Sequence, residues 1–224
     1  MKKIDYKFQD INLLTQALTH PSVNNTNPKF KNSGTHYERL EFLGDAVLAL
    51  VITEYLVNNY LLESEGELAK RRAALVSGAT ISTIADTINL GDFIIMTEGE
   101  VTLGGRTNLN NLENVLEALI GAVYLDGGLC EVKKIIHKLW HPVIDQMVKP
   151  PQDPKTELQE WAQKLGKPIP LYIVTKTTGP AHMPVFTVSL EVSGIPSVIA
   201  TASSKKTAER EAAKLMLTKI KENE

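Results

Sequence analysis

Cysteine and long apolar runs are scarce in this sequence, and both shortages restrict the kind of protein it encodes. Cys130 is the single cysteine among 224 residues, which excludes a disulfide within one chain and a cysteine-based zinc site. No stretch reaches the roughly 18 apolar residues that a membrane-spanning helix needs. The charged opening residues, MKKIDYKFQD, are not followed by the apolar segment of a signal peptide. We therefore expect a cytoplasmic protein that has no membrane partner.

The chain also lacks the excess of basic residues that is typical of nucleic-acid-binding proteins, since its net charge is −2. The charge is unevenly divided, however. Residues 153–224 contain ten Lys and Arg against eight Asp and Glu, a balance of +2, and residues 1–152 contain 14 against 18, a balance of −4. This division fits an acidic, metal-using domain joined to a mildly basic, anion-binding domain, although uneven charge also arises by chance.

Prolines and a change of hydrophobic period divide the chain in two. Three prolines between Lys149 and Pro154 predict a stiff linker at 150–153. In the preceding domain, 1–149, helical periodicity predicts helices at 9–19, 37–58, 64–77, 79–89, 110–124 and 130–147, with a loop at 22–35 and an ambiguous segment at 92–103. In the domain 154–224, we expect a helix at 154–165, strands at 171–177, 185–192 and 196–201, and a helix at 204–221. The predicted fold class is an all-α domain followed by a small α+β domain with the order α-β-β-β-α.

The helix predicted at 37–58 carries an acidic stripe. Glu38, Glu41 and Asp45 fall within roughly 60° of one another around the helix axis. Their neighbours Leu40, Phe42, Leu43, Ala46, Val47 and Leu48 are apolar, so we expect this helix to be mostly buried. Like charges so placed repel one another unless a cation joins them, and Mg²⁺ prefers oxygen ligands of this kind. A solvated acidic stripe on the protein surface is the alternative.

Small residues in two of the predicted helices indicate that these helices pack closely. Gly44 costs about 1 kcal/mol relative to alanine inside a helix, which suggests that another backbone lies against it. A second helix contains Asn114 and Glu117 three residues apart, followed by the small Gly121. Close approach of the two helices would bring Glu117 beside Asp45. Surface positions for Asn114 and Glu117 are the alternative.

The last predicted helix begins with two basic residues. Ser203 or Ser204 can cap it, which places Lys205 and Lys206 in its first turn. Cations there oppose the helix dipole at a cost of a few tenths of a kcal/mol each. The same end of the helix suits a phosphate, which would meet backbone N–H groups and ammonium groups together. An ordinary solvated lysine pair is the alternative.

Several segments resemble the bacterial ribonuclease III family. ERLEFLGDAVL at 38–48 is similar to the family signature, and ALTHPS at 17–22, RRAALVS at 71–77, GGR at 104–106 and EALIGAVYLDGG at 117–128 match in order and spacing. The C-terminal α-β-β-β-α pattern resembles a double-stranded RNA-binding domain. The resemblance extends over essentially the whole chain.

This resemblance implies a homodimeric endonuclease that cleaves double-stranded RNA with Mg²⁺, for which Mn²⁺ can substitute, and needs no small-molecule cofactor. It further implies 5′-phosphate and 3′-hydroxyl ends with short 3′ overhangs, and processing of rRNA and mRNA precursors. The implied catalytic residues are Asp45 and Glu117, the metal ligands are Glu41, Asp45, Asn114 and Glu117, and the residues of the cleavage groove are Glu38 and Glu65. The implied RNA-binding residues are Thr156, Gln159, Gln163, His182, Ser204, Lys205 and Lys206.

One residue departs from the family pattern. Asn114 stands where the family usually has Asp, and an amide oxygen can bind Mg²⁺ but brings no negative charge. We therefore expect an active enzyme with a raised metal requirement. The neighbouring Glu113, four residues before Glu117, is a candidate to compensate. The main alternative is a double-stranded-RNA-binding protein that has lost cleavage, and a metal phosphohydrolase for small substrates is a further one, which the C-terminal domain argues against.

Overall fold

The computed structural model describes residues 4–26, 36–180 and 183–222. The chain separates into two compact units, Met1–Pro151 and Gln152–Glu224. The division falls inside the proline-rich segment, where Asp153 already caps the first helix of the second unit. Within the described ranges, no helix is both long and apolar enough to cross a membrane.

The first unit is helical. Its helices are α1 (Ile11–Leu18), α2 (Glu38–Asn59), α3 (Glu65–Leu75), α4 (Gly78–Thr87), α5 (Glu98–Thr102) and α6 (Leu109–Gln146). Short 3-10 turns lie at Pro21–Thr26, Leu90–Phe93 and Gly105–Thr107, so the ambiguous segment contains the end of one turn and the short helix α5. The two helices predicted at 110–124 and 130–147 form α6, whose regular geometry is broken at Gly128, where φ is 77°.

Polar side chains fix where several of these helices begin. Ser64 and Glu67 form a capping box, in which the Ser64 hydroxyl accepts a hydrogen bond from the Glu67 N–H and the Glu67 carboxylate accepts one from the Ser64 N–H. The Ser77 hydroxyl accepts from the Thr80 N–H at the start of α4. These caps satisfy backbone donors that would otherwise lack partners.

The core of the first unit lies mainly between α2 and α6. Leu48 and Val51 of α2 and Val115 and Leu116 of α6 are fully buried in one apolar cluster. The expectation that α2 is mostly buried was wrong for one of its faces, because Phe42 is 83% exposed and Leu50 is 56% exposed. In one chain, α2 therefore presents an apolar face to solvent as well as a buried one.

The second unit is a two-layer α+β domain. Its elements are α7 (Pro154–Lys164), β1 (Leu171–Thr178), β2 (Val185–Val192), β3 (Ile195–Ala202) and α8 (Lys205–Lys221). The strands form an antiparallel sheet in the order β1-β2-β3, with Val174 opposite Val188 and Val188 opposite Ala200. Val188 and Leu190 are buried with Leu158 of α7 and Ala212 of α8. The predicted fold class is thus confirmed for both parts of the chain.

Candidate active site

Two glycines let the backbones of α2 and α6 approach each other closely. A Cβ atom on Gly44 would overlap the carbonyl oxygen of Glu117, and one on Gly121 would overlap the carbonyl oxygen of Leu40. Only glycine leaves room for this contact. The close packing expected from Gly44 and Gly121 is confirmed, and it places the polar residues of the two helices side by side.

Glu117 is buried without a partner. Its residue surface is 8% exposed, and it makes no hydrogen bond or ion pair to any residue that the structure describes. The pKa of its carboxyl group is raised to about 8, mainly by burial and additionally by the negative charges of Asp45, Glu113 and Glu41, in that order of importance. A buried carboxylate without a partner is costly, so this group demands either a proton or a cation.

Glu41 belongs to the same negative neighbourhood. Burial raises its pKa, as do the charges of Glu38, Glu113 and Asp45. Glu38 lies at the rim, since its side chain is 61% exposed and one carboxylate oxygen is 3.6 Å from Nδ1 of His36. Within the described ranges, no Lys, Arg or His forms an ion pair with the carboxylates of Glu41, Asp45, Glu113 and Glu117, of which Glu117 is buried and Asp45 is exposed.

Asn114 and Glu113 turn toward different neighbours. The side-chain Nδ2 of Asn114 donates to the hydroxyl of the buried Tyr37 over 3.5 Å. The carboxylate of Glu113 instead lies against Gly78, because a Cβ atom there would be 2.6 Å from the Glu113 carboxyl carbon. Sequence reasoning placed Glu113 only as a possible substitute for Asn114, on the strength of its four-residue spacing from Glu117. The packing of α4 against α6 adds this residue to the group.

The donor set fits a hard divalent cation. Glu41, Asp45 and Glu117 offer carboxylate oxygens and Asn114 offers an amide oxygen, which are the ligand types that Mg²⁺ prefers. The clearest sign of such a fit is the buried residue Glu117, which has no hydrogen-bond or ion-pair partner in the described part of the chain. The side chains do not form a ready cage, since the described residues contain no group of three or more His, Cys, Asp or Glu arranged to hold a metal ion.

Glu65 lies away from this group within one chain. It is the exposed first residue of α3 and lines a shallow cavity with Thr53, Val57 and Arg72. Val57 follows Asp45 by 12 residues along α2, which corresponds to about 18 Å of helix. The structure therefore brings Glu41, Asp45, Asn114 and Glu117 together but does not bring Glu65 to them.

In the second unit, the residues expected to bind RNA lie on the helices. The side chains of Thr156, Gln159 and Gln163 are all exposed on α7, and their spacing places them on one face. Ser204 caps α8, its hydroxyl accepting from the Thr207 N–H over 3.1 Å. His182 lies outside the described residues.

Ion pairs join the start of α7 to the second turn of α8. Nζ of Lys155 lies 2.6 Å from a carboxylate oxygen of Glu209, and Nε of Arg210 lies 3.2 Å from one of Asp153. The exposed Lys205 and Lys206 therefore flank the end of α7 that carries Thr156, while Gln163 lies seven residues further, about 10 Å along the helix. The result is a polar surface with basic groups at one end.

Comparisons with known proteins agree with both units. A family model described as Ribonuclease-III-like matches residues 10–143, and one described as Double-stranded RNA binding motif matches residues 154–220. Ribonuclease 3 of Wolbachia sp. subsp. Drosophila simulans (strain wRi) is 55% identical over 219 residues, which cover 98% of this chain and 94% of that protein. Ribonuclease 3 of Ehrlichia ruminantium (strain Welgevonden) is 52% identical over 219 residues, with coverages of 98% and 95%.

A solved structure agrees with the helical unit. The nuclease domain of ribonuclease III from Campylobacter jejuni, described as flexible in a region involved in dimer formation, has 45% sequence identity and a TM-score of 0.57. The match covers 63% of this chain and 93% of that one. With a matching helical nuclease unit, a matching double-stranded RNA binding motif and relatives that are similar over nearly the full length, this chain belongs to the ribonuclease III family and is an endoribonuclease of that type.

Proposed function

We propose that the chain is a Mg²⁺-dependent endoribonuclease that cleaves double-stranded RNA in the cytoplasm, and that it processes precursors of rRNA and mRNA. The observation that carries this proposal is the buried residue Glu117, whose carboxylate lacks a partner among the described residues and is influenced by the charge of Asp45. A metal phosphohydrolase for small substrates would need the same carboxylates. It would have no use for the second unit, which matches a double-stranded RNA binding motif.

Four residues of the helical unit would hold the cation. Glu41, Asp45 and Glu117 supply carboxylate oxygens and Asn114 supplies its amide oxygen, with Asp45 and Glu117 nearest the reaction. A divalent cation held by these residues would supply a hydroxide from water and would neutralise charge on the phosphate. The close contact of α2 and α6 fixes the spacing of Asp45 and Glu117. Hydrolysis on the 3′-oxygen side of the phosphate leaves 5′-phosphate and 3′-hydroxyl ends.

The second unit would hold the duplex. Its Thr156, Gln159 and Gln163 face outward from α7 and suit contacts with the 2′-hydroxyls of a minor groove, and His182 is the candidate for a further contact from the loop after β1. Lys205, Lys206 and the capped start of α8 suit phosphates. These contacts read the shape of the A-form helix rather than its sequence, so the unit would select duplex over single-stranded RNA.

Two copies of the chain would assemble through the exposed face of α2. Phe42 and Leu50 lie on this face, and large apolar side chains that are exposed in one chain often mark an interface. We assign Glu38 and Glu65 to the cleavage groove. Since Glu65 is distant from the acidic group of its own chain, its assignment relies on the paired assembly.

The proposal is tested by incubating long duplex RNA with the full chain, with and without Mg²⁺. Defined short products that appear only with metal, and that also appear with Mn²⁺, support it, and Glu117→Gln should abolish them. Retention of the duplex without cleavage would instead support a binding protein that has lost catalysis. Titrating Mg²⁺ against Asn114→Asp should show cleavage at lower metal concentrations than in the unaltered chain, and an unchanged dependence contradicts the expected role of Asn114.

A further inference from the structure

The carboxylate of Glu113 occupies a specific position at the start of α4. It lies flat against Gly78, the first residue of that helix, since a Cβ atom there would be 2.6 Å from both the carboxyl carbon and one of its oxygens. The N-terminal end of a helix carries partial positive charge and favours a nearby anion. Any larger residue at position 78 would displace the carboxylate, so the contact depends on the absence of a side chain at Gly78.

In this position, Glu113 remains close to the acidic residues Glu41, Asp45 and Glu117. Glu113 and Glu117 are four residues apart on α6 and therefore lie on the same side of the helix. The charge of Glu113 acts on both Glu117 and Glu41, and on Glu117 it raises the pKa more than Glu41 does. Asn114, on the other side of Glu117, points its amide toward Tyr37 and contributes no charge.

We propose that Glu113 supplies the negative charge that Asn114 does not, so that the carboxylates of Glu41, Asp45, Glu113 and Glu117 together balance one divalent cation. This inference rests on the proposed function, because it assumes that a cation binds between α2 and α6. It concerns charge and not direct ligation, since a carboxylate held at the start of α4 attracts a nearby cation without entering its coordination shell. Glu113 is thus a positioning and charge-balancing residue.

The competing explanation gives Glu113 a structural task only. A carboxylate at the N-terminus of a helix stabilises that helix, and Glu113 could serve α4 alone. The two explanations differ in what a substitution at position 114 can restore. A carboxylate moved from position 113 to position 114 would still attract a cation beside Glu117. It would not contact Gly78 at the start of α4.

The test measures metal binding by the full chain without RNA. Free Mn²⁺ is titrated by electron paramagnetic resonance against the unaltered chain, Glu113→Gln, Asn114→Asp and the double variant that combines them. Glu98→Gln is the matched control, because Glu98 is exposed in the same unit and has no influence on the pKa of Glu41 or Glu117. Thermal melting in a chelator records the stability of each variant separately.

We expect Glu113→Gln to weaken Mn²⁺ binding about tenfold or more and Asn114→Asp to strengthen it, because each changes one charge close to the cation. The double variant should return to within about threefold of the unaltered chain, and Glu98→Gln should change nothing. The inference is overturned if Glu113→Gln binds Mn²⁺ as the control does, or if the double variant remains as weak as Glu113→Gln.

These outcomes are distinguishable from failure of the proposed function. An unaltered chain that binds Mn²⁺ and cleaves duplex RNA, beside a Glu113→Gln variant with unchanged binding, overturns only the inference about Glu113. An unaltered chain that neither binds Mn²⁺ nor cleaves duplex RNA overturns both. A loss of stability in Glu113→Gln does not obscure the result, because the double variant tests whether charge alone restores binding.

Discussion

The carbonyl oxygen of Glu117 occupies the space that a side chain on Gly44 would need. Gly121 and the carbonyl oxygen of Leu40 repeat the relationship one turn away, so α2 and α6 touch through their backbones. Asp45 follows Gly44 directly, and its charge is the largest electrostatic influence on the Glu117 carboxyl group. The separation of the two candidate catalytic carboxylates therefore depends on the absence of a side chain at position 44.

Replacing Gly44 by Ala should damage both the fold and the site. The added methyl group must push α2 away from α6, which we expect to lower the free energy of unfolding by about 1 to 3 kcal/mol, as in overpacked cores. Cleavage should fall further than stability alone explains, because Asp45 moves relative to Glu117. Urea unfolding and cleavage of duplex RNA at saturating Mg²⁺ measure the two effects.

Gly66→Ala is the matched control for that substitution. A Cβ atom on Gly66 would meet nothing within 4 Å, and the residue lies in the first turn of α3. Alanine there should leave cleavage unchanged and should stabilise the protein by about 0.5 to 1 kcal/mol, since glycine is unfavourable in helices. Equal destabilisation by both substitutions would contradict the role given to the contact between Gly44 and Glu117.

Local rules in the sequence were enough to predict much of the fold. A helix was expected to begin at residue 64, where the structure has the capping box of Ser64 and Glu67. The gap between the helices predicted at 110–124 and 130–147 contains the interruption that the structure has at Gly128. The cost of glycine inside an apolar helix pointed to the backbone contact at Gly44. In each case one short segment contained the whole physical cause, so no knowledge of the tertiary structure was needed.

Other features depended on contacts between distant segments. Periodicity treated Phe42 as a core residue, because hydrophobicity does not reveal whether a side chain faces its own core or solvent. The contact between the Glu113 carboxylate and Gly78 requires α4 to pack against α6, and no local pattern predicts that packing. The acidic stripe of α2 followed from spacing, whereas the assignment of catalytic roles to Asp45 and Glu117 came from family resemblance.

The elevated pKa of Glu117 predicts a pH-dependent stability of the metal-free protein. Its folded-state pKa of about 8 exceeds the ordinary value of 4.5, so the stability linked to its proton is fully present below about pH 4.5 and is lost as the pH rises through 8. Glu117→Gln removes this loss. In a chelator, it should raise the free energy of unfolding on the order of 2 to 4 kcal/mol at pH 8 but little at pH 5.

Unfolding experiments at the two pH values check this prediction, with Glu98→Gln as a control of the same chemical change at an exposed position. Addition of Mg²⁺ should reverse the order of stability, because the cation stabilises only the chain that retains the Glu117 carboxylate. An equal effect of Glu117→Gln at pH 5 and pH 8 would show that the carboxyl group is not held in its protonated form by burial.

Phe42 should be needed for assembly but not for folding. Its ring is exposed in one chain, so Phe42→Ala removes few contacts from the core, whereas a buried aromatic residue at an interface commonly contributes about 2 kcal/mol to binding. Analytical ultracentrifugation should show the mass falling from twice 24.7 kDa toward 24.7 kDa, at concentrations where the unaltered chain is dimeric. Ile169→Ala, which removes an exposed apolar side chain from the second unit, should leave the mass unchanged. A dimer that survives Phe42→Ala with the same dissociation constant would exclude this face of α2 as the interface.

Lys205 and Lys206 should contribute to RNA binding mainly through the phosphates. Each ammonium group that contacts a phosphate releases counterions from the RNA. The double substitution to Ala should therefore weaken duplex binding about tenfold, and it should reduce the magnitude of the slope of log K against log salt concentration by about 2. Fluorescence anisotropy with a labelled RNA duplex in a chelator measures binding without cleavage. Lys214→Ala is the control, because this exposed lysine lies further along α8 and pairs with Glu211 over 2.7 Å. If Lys214→Ala reduced the salt dependence as much as the double substitution, the effect would reflect the overall charge of the unit and not phosphate contacts at the start of α8.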